Sequence, residues 1–129
     1  MNFGAKKSTK VLLIDDDATY RTLLDAALQH DNVTIIGIKD TLLALPLFEN
    51  DADILHVIVD LRMPLSKPNG ISFARMAKFK RKGTKVALIS GEQELLTVED
   101  AAEFGGVLAK DDGLPALVSK IRQRLELAA

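Results

Sequence analysis

Four short stretches hold side chains that could do chemistry together. "LLIDDDATYR" carries three consecutive carboxylates, Asp15, Asp16 and Asp17. "VIVDLRMP" places Asp60 at the exit of an apolar run, "ALISGE" places Ser90 after another, and "GVLAKD" places Lys110 after a third. A carboxylate at the exit of a buried strand costs several kcal/mol to desolvate unless it reaches solvent or meets a cation. If these ends share one rim, Asp15, Asp16 and Asp60 converge and repel one another until a cation joins them. Oxygen donors alone favour Mg²⁺, which binds through a few carboxylates and keeps part of its water. A carboxylate beside such an ion, with a hydroxyl and an ammonium nearby, is equipped for phosphoryl transfer. One Asp attacks phosphorus, while the metal, Lys110 and Ser90 hold the three equatorial oxygens as charge shifts.

The elements that must position these groups alternate along the chain. Strands are expected at 10–14, 33–38, 55–59, 85–89 and 106–109, each apolar or β-branched. Helices are expected at 18–30, 40–50, 70–82, 92–104 and 114–127. Tyr20, Leu23, Leu24, Ala27 and Leu28 share one stripe of the first helix, and Leu114, Leu117, Val118, Ile121 and Leu125 one stripe of the last. Pro46 should distort the second helix. Strand and helix in alternation with short connections imply a doubly wound parallel sheet covered on both faces, which explains why the strands are apolar almost throughout. Ligands of such sheets bind beyond the carboxyl ends of the strands. Those ends carry Asp15, Asp16 and Asp17, then Lys39 and Asp40, then Asp60, Ser90 and Lys110.

The remaining composition narrows the classes. The chain has 129 residues, the size of one domain, with a net charge of −1 and no cysteine. Disulfides, thiolate metal sites and cysteine nucleophiles are thereby excluded, and a reducing, cytoplasmic setting is the expectation. No apolar run is long enough to span a bilayer, and "MNFGAKKSTK" lacks the apolar segment of a signal peptide. Neither a nucleic acid nor a membrane is expected as partner, because "KFKRK" at 78–82 is short and reads as a solvated helix end that complements the helix dipole. Asp17 reads as a helix N-cap rather than a ligand. His30 and His56 share no metal-ligand spacing; His30 reads as a helix-end cation.

"LLIDDDATYR", "VIVDLRMP" with a later "NG", "ALISGE" and "GVLAKD" resemble, in order and spacing, the receiver domain of two-component response regulators, from about Lys10 to Leu127. The resemblance implies a five-stranded sheet of order 2-1-3-4-5 with five helices, a flexible segment at 1–8 and a receiver at 9–127. It implies that Asp60 is the phosphoacceptor and that Asp15, Asp16, Asp60 and the backbone carbonyl of Arg62 hold Mg²⁺, or Mn²⁺ in its place. Ser90 would be the hydroxyl that follows the phosphoryl group and Lys110 the active-site lysine. Arg62 and Glu92 occupy positions where the family tunes hydrolysis, and their opposite charges could pair across the mouth. The protein would then be a switch rather than an enzyme acting on an external substrate, transferring a phosphoryl group to itself and losing it slowly. A sensor histidine kinase or histidine phosphotransfer protein would supply the group. The fourth helix, fifth strand and fifth helix would form the output face, toward a separate effector or a second copy of the chain.

Four features depart from the family pattern. The loop "LSKPNG" is long, Asp111 follows Lys110 where proline is usual, Val107 stands at the usual aromatic switch position, and Pro46 interrupts the second helix. Asp111 and Val107 also fit a receiver-like interaction module that no longer phosphorylates. Asp15, Asp17 and Thr19 are similar to the Asp-x-Asp-x-Thr motif of haloacid-dehalogenase-like phosphatases, with Asp15 as nucleophile and Asp17 as general acid/base. The chain is short for that fold, and Asp60 has no duty in it.

Overall fold

The computed structural model describes residues 8–30, 32–63, 68–92 and 96–127. Five strands, β1 (Thr9–Ile14), β2 (Val33–Ile38), β3 (Ile54–Asp60), β4 (Lys85–Ser90) and β5 (Val107–Ala109), form one parallel sheet of order β2-β1-β3-β4-β5. The helices are α1 (Ala18–Leu28), α2 (Thr41–Asn50), α3 (Gly70–Lys80), α4 (Val98–Phe104) and α5 (Leu114–Leu125). This is the expected doubly wound α/β fold.

Alternation along the strands divides the core. Leu12, Ile14, Val57, Val59, Val86 and Leu88 pack with Ala44, Phe48, Phe73, Ala77 and Phe104, from α2, α3 and α4. Val11, Leu13, Ile58, Ala87 and Ile89 pack on the other face with Leu24 and Leu28 of α1 and Leu117, Ile121 and Leu125 of α5. A strand buried on both faces must be apolar at consecutive positions, as "VLLI" and "VIV" are. The chain leaves β1 toward β2 on one side, and β3 lies on the other. The strand order therefore reverses at the carboxyl ends of β1 and β3, which is where such sheets open a crevice.

Several boundaries differ from the sequence expectation. β3 runs through Asp60, so the carboxylate belongs to the strand. α4 begins at Val98 rather than at 92, because Thr97 caps it by accepting the N–H of Asp100. α1 stops at Leu28, and His30 lies beyond it, bridged to Val33. Leu23 faces solvent at 46% exposure, off the buried stripe. α2 continues through Pro46. The hydrogen bond that proline forfeits would have gone to the carbonyl of Leu42, and both residues lie on the exposed side, where water can replace it. The "LSKPNG" expectation falls on 65–70, of which 65–67 lie outside the described residues.

Two arginines close the ends of helices. Arg81 donates to the carbonyls of Phe48 (2.6 Å), Asp51 (3.1 Å) and Ile54 (2.6 Å), with its guanidinium 4.1 Å from the Phe48 ring centroid. Arg124 does the same for Phe104, Gly105 and Gly106 at the end of α4. Carbonyls at helix ends have no intrahelical partner and must find one elsewhere. Arg81→Ala should cost about 2–3 kcal/mol in urea unfolding, since bonds from a charged donor are the stronger kind. Arg81→Lys should recover less than half, because an ammonium cannot span three carbonyls in a plane. An alanine variant within about 0.5 kcal/mol of the parent, the ordinary range for surface changes, would refute this role.

Candidate functional site

β1 delivers Asp15 to the crevice with no solvent exposure, and β3 delivers Asp60 at 3%. Asp16 follows Asp15 and is exposed. One oxygen from each of Asp15, Asp16 and Asp60 lies within 4.8 Å of the others. Lys110 opens a single 3-10 turn after β5 and extends back over the sheet. Its Nζ donates to Asp15 Oδ2 (2.7 Å) and Asp60 Oδ2 (2.9 Å). The other oxygens accept backbone N–H groups: Asp17 donates to Asp15 Oδ1 (2.9 Å) and Arg62 to Asp60 Oδ1 (2.9 Å). Both buried carboxylates are thus held at both oxygens, each by one turn of its own loop and by the shared lysine.

The electrostatics follow from burial. Desolvation pushes the Asp60 carboxyl up to about 6, against the opposing pull of the Arg62 N–H and Lys110, and Asp15 adds to the rise. Burial alone would lower the Lys110 ammonium, but its bonds to Asp15 and Asp60 outweigh that and raise it. Two buried carboxylates share one ammonium, so the crevice keeps an excess of negative charge. All donors are oxygens and Asp16 opens the cluster to solvent. That set fits a hard divalent cation that keeps some of its water.

The other expected residues surround this centre. Ser90 is buried at the end of β4, one step beyond Ile89, which pairs with Asp60. Its hydroxyl oxygen accepts the N–H of Glu92 (3.1 Å), so it shapes the β4–α4 loop. Arg62 and Glu92 form an ion pair across the mouth at 3.0 Å, with side chains 53% and 64% exposed. Val107 is half-buried against the α2–α4 side of the core. Asp17 caps α1 by accepting the N–H of Tyr20 (3.1 Å), as its position predicts. That duty leaves it poorly placed as the general acid of a phosphatase.

Three contributors carry no role in the sequence reading. Arg21 donates to the carbonyl of Asp15 (2.7 Å) and fixes the end of β1. Tyr20 sets its ring centroid 4.2 Å from Lys110 Nζ. Gly70, first residue of α3, lies so close to β3 that a Cβ there would be 2.9 Å from the Asp60 carbonyl oxygen. The "NG" of the motif is the visible trace of that contact: Asn69 caps α3 through the N–H of Ser72, and Gly70 lets the helix approach Asp60.

The comparisons with known proteins agree with this fold. The family model of the response regulator receiver domain matches residues 11–122. The chain belongs to that family. A CheY-like receiver domain protein from Methanospirillum hungatei superposes with a TM-score of 0.77 at 18% identity, covering 93% of this chain and 95% of that one. The chemotaxis response regulator CheY4 of Vibrio cholerae gives 0.73 at 22% identity, covering 92% and 99%. A response regulator from Burkholderia pseudomallei with a phosphorylated aspartic acid and a calcium ion gives 0.73 at 21%, covering 93% and 68%. No curated protein matches the chain. This receiver domain contains no described helix long and apolar enough to cross a membrane.

The Asp60 environment sets a pH dependence. A carboxyl whose folded value lies above its unfolded one, near 3.8, stabilises the fold fully below that value and loses the contribution as pH rises through about 6. In EDTA, the parent should lose up to about 3 kcal/mol from this group between pH 4 and pH 7. Asp60→Asn should remove the loss, so its advantage over the parent should be large at pH 7 and vanish near pH 4. Thermal melts at both pH values check this; an advantage independent of pH would contradict it.

Proposed function

We propose that this receiver accepts a phosphoryl group on Asp60 from a phosphohistidine donor and uses it to change what its rim binds. The observation that carries the reading is the shared Lys110 bridge between Asp15 and Asp60 at the point where strand order reverses. The phosphorylated aspartic acid in the Burkholderia relative supports it by likeness of fold. An Asp60 oxygen attacks phosphorus as the bond from phosphorus to the donor nitrogen breaks, and the departing imidazole keeps the electron pair and takes up a proton. Lys110, already aimed at Asp60, balances charge on the phosphoryl oxygens.

Asp15, Asp16, Asp60 and the Arg62 carbonyl would hold Mg²⁺ or Mn²⁺. Such an ion supplies positive charge at the phosphoryl oxygens. Asp15 and Asp16 would offset its charge and fix its place, and Lys110 would add its own charge beside Asp60.

An aspartyl phosphate adds negative charge and acceptor oxygens to the crevice. The Ser90 hydroxyl would leave its loop contact for the new acceptor and draw the β4–α4 loop with it. Glu92 moves with that loop, so the Arg62–Glu92 pair is the first surface contact to respond. A half-buried valine at 107 makes loop movement, rather than rotation of a ring, the carrier of the change. The α4–β5–α5 face then meets an effector or a second copy of the chain, and the cytoplasm is the setting this exchange requires. The chain acts as a switch that turns over only its own phosphoryl group.

Incubation with acetyl phosphate and Mg²⁺ should phosphorylate the parent and leave Asp60→Asn unlabelled; equal labelling of that variant would overturn the assignment. Millimolar Mg²⁺ should raise the parent's melting temperature by mass action, and Asp16→Ala should lose most of that response. A full response in Asp15→Ala/Asp16→Ala would place the metal elsewhere.

The Arg62–Glu92 pair should lengthen the life of the phosphoryl group by hindering the attacking water. Exposed pairs are worth about 0–1 kcal/mol, so the effect should be at most about fivefold. Arg62→Ala and Glu92→Ala should each hydrolyse faster, and the double variant no faster than either. Additive effects, or slower hydrolysis in the single variants, would show that the residues act independently.

A further inference from the structure

We propose that Tyr20 is the positioning residue for Lys110, acting through the face of its ring and not through its hydroxyl. The inference rests on the phosphoacceptor reading and adds a part to it. Lys110 is a long, flexible side chain on a turn whose other members, Asp111, Asp112 and Gly113, are all exposed. The stem leaves that turn and runs beside Gly91 of the β4–α4 loop, where an added Cβ would lie 3.8 Å from Lys110 Cδ. It lies largely buried, its ammonium on Asp15 and Asp60 and 4.2 Å from the Tyr20 ring centroid. An ammonium over an aromatic face is held by the ring's quadrupole, more strongly where water is excluded.

The ring is itself fixed by the segment that carries the carboxylates. Asp17 donates its N–H to Asp15 and accepts the N–H of Tyr20, so the third residue of α1 is tied to the end of β1 through two hydrogen bonds. The platform and the acid it serves therefore move together. The Tyr20 hydroxyl is buried with no hydrogen-bond partner among the described residues. Among the described residues the ring is held by packing against the core, with its face set against the ammonium.

The consequence appears when Asp60 is modified. Phosphorylation moves the anionic partner of Lys110 outward, from an Asp60 carboxylate oxygen to the phosphoryl oxygens, so the ammonium must pass from one acceptor to the next. The ring contact survives that change. It keeps the ammonium over the crevice, where the phosphoryl oxygens arrive. Without the ring, only Asp15 would steady Lys110 while it changes acceptors, and the ammonium would reach the incoming phosphoryl oxygens less often.

The test has two readings. In the metal-free, unphosphorylated protein, the Lys110 Hε resonances should lie upfield through the ring current of Tyr20. They should stay there in Tyr20→Phe and move to ordinary positions in Tyr20→Leu. Initial rates of phosphorylation by acetyl phosphate at saturating Mg²⁺ should be within about twofold of the parent in Tyr20→Phe and about five- to tenfold lower in Tyr20→Leu, the range of a partly desolvated cation–ring contact. In a Lys110→Ala background, Tyr20→Leu should cause no further loss, whereas a merely structural residue would still lower the rate. Tyr20→Leu at the parental rate, Tyr20→Phe as slow as Tyr20→Leu, or an equal loss in the Lys110→Ala background would each overturn the proposal. The resonance position needs no phosphorylation. A parent that takes no phosphoryl group thus overturns the acceptor reading alone, and an unshifted Lys110 overturns this one alone.

Discussion

Two buried carboxylates sharing one ammonium form the constraint on which the rest of this structure depends. Asp15 and Asp60 sit at the ends of adjacent β1 and β3, where the sheet leaves no room to separate them. Their burial is costly, and Lys110 compensates only part of it. The crevice is therefore a place where the fold gains from any further cation and from protonation of Asp60. A site that is incompletely balanced is a responsive one. Under the proposed function, charge arriving there would change the contacts of Lys110 and the β4–α4 loop.

The surrounding architecture keeps that response local. The strands below the crevice are packed on both faces by side chains with almost no exposure. Arg81 and Arg124 close the carbonyl ends of α2 and α4 away from the crevice. Arg75 donates to both carboxylate oxygens of Asp100, tying α3 to α4, and that contact lowers the Asp100 carboxyl from its ordinary value. By contrast, among the described residues Ser90 and Glu92 are joined by a loop hydrogen bond, and Glu92 and Arg62 by an exposed ion pair. Free energy put into the crevice would move these loops before it moves the helices.

Much of this was legible in the sequence, for a physical reason. Strand ends in a doubly wound sheet converge, so an acid after "LLI", an acid after "VIV", a serine after "ALI" and a lysine after "VLA" were bound to meet if the alternation was read correctly. The Asp17 cap followed from local spacing, and the facing charges of Arg62 and Glu92 from the resemblance to receivers, each lying two residues beyond a strand-end site residue. What escaped the reading depends on contacts without a periodic signature. Tyr20 looked like one more apolar position of a helical stripe, yet it sits at the rim with its ring under a cation. Leu23 shares the same apolar periodicity yet faces solvent. Gly70 matters because of its distance from the Asp60 carbonyl, which belongs to packing between elements rather than to sequence. The late start of α4 turned on Thr97, a cap in a segment whose apolar residues continued the helical pattern.

The central claim is that Asp60 carries the phosphoryl group. Borohydride reduces an acyl phosphate to the alcohol, so an aspartyl phosphate is read out as homoserine at the modified position. Protein treated with acetyl phosphate and Mg²⁺, then with borohydride, should yield homoserine at position 60 by peptide mass mapping. Homoserine at position 15, the nucleophile of a phosphatase, or at neither position would contradict the account.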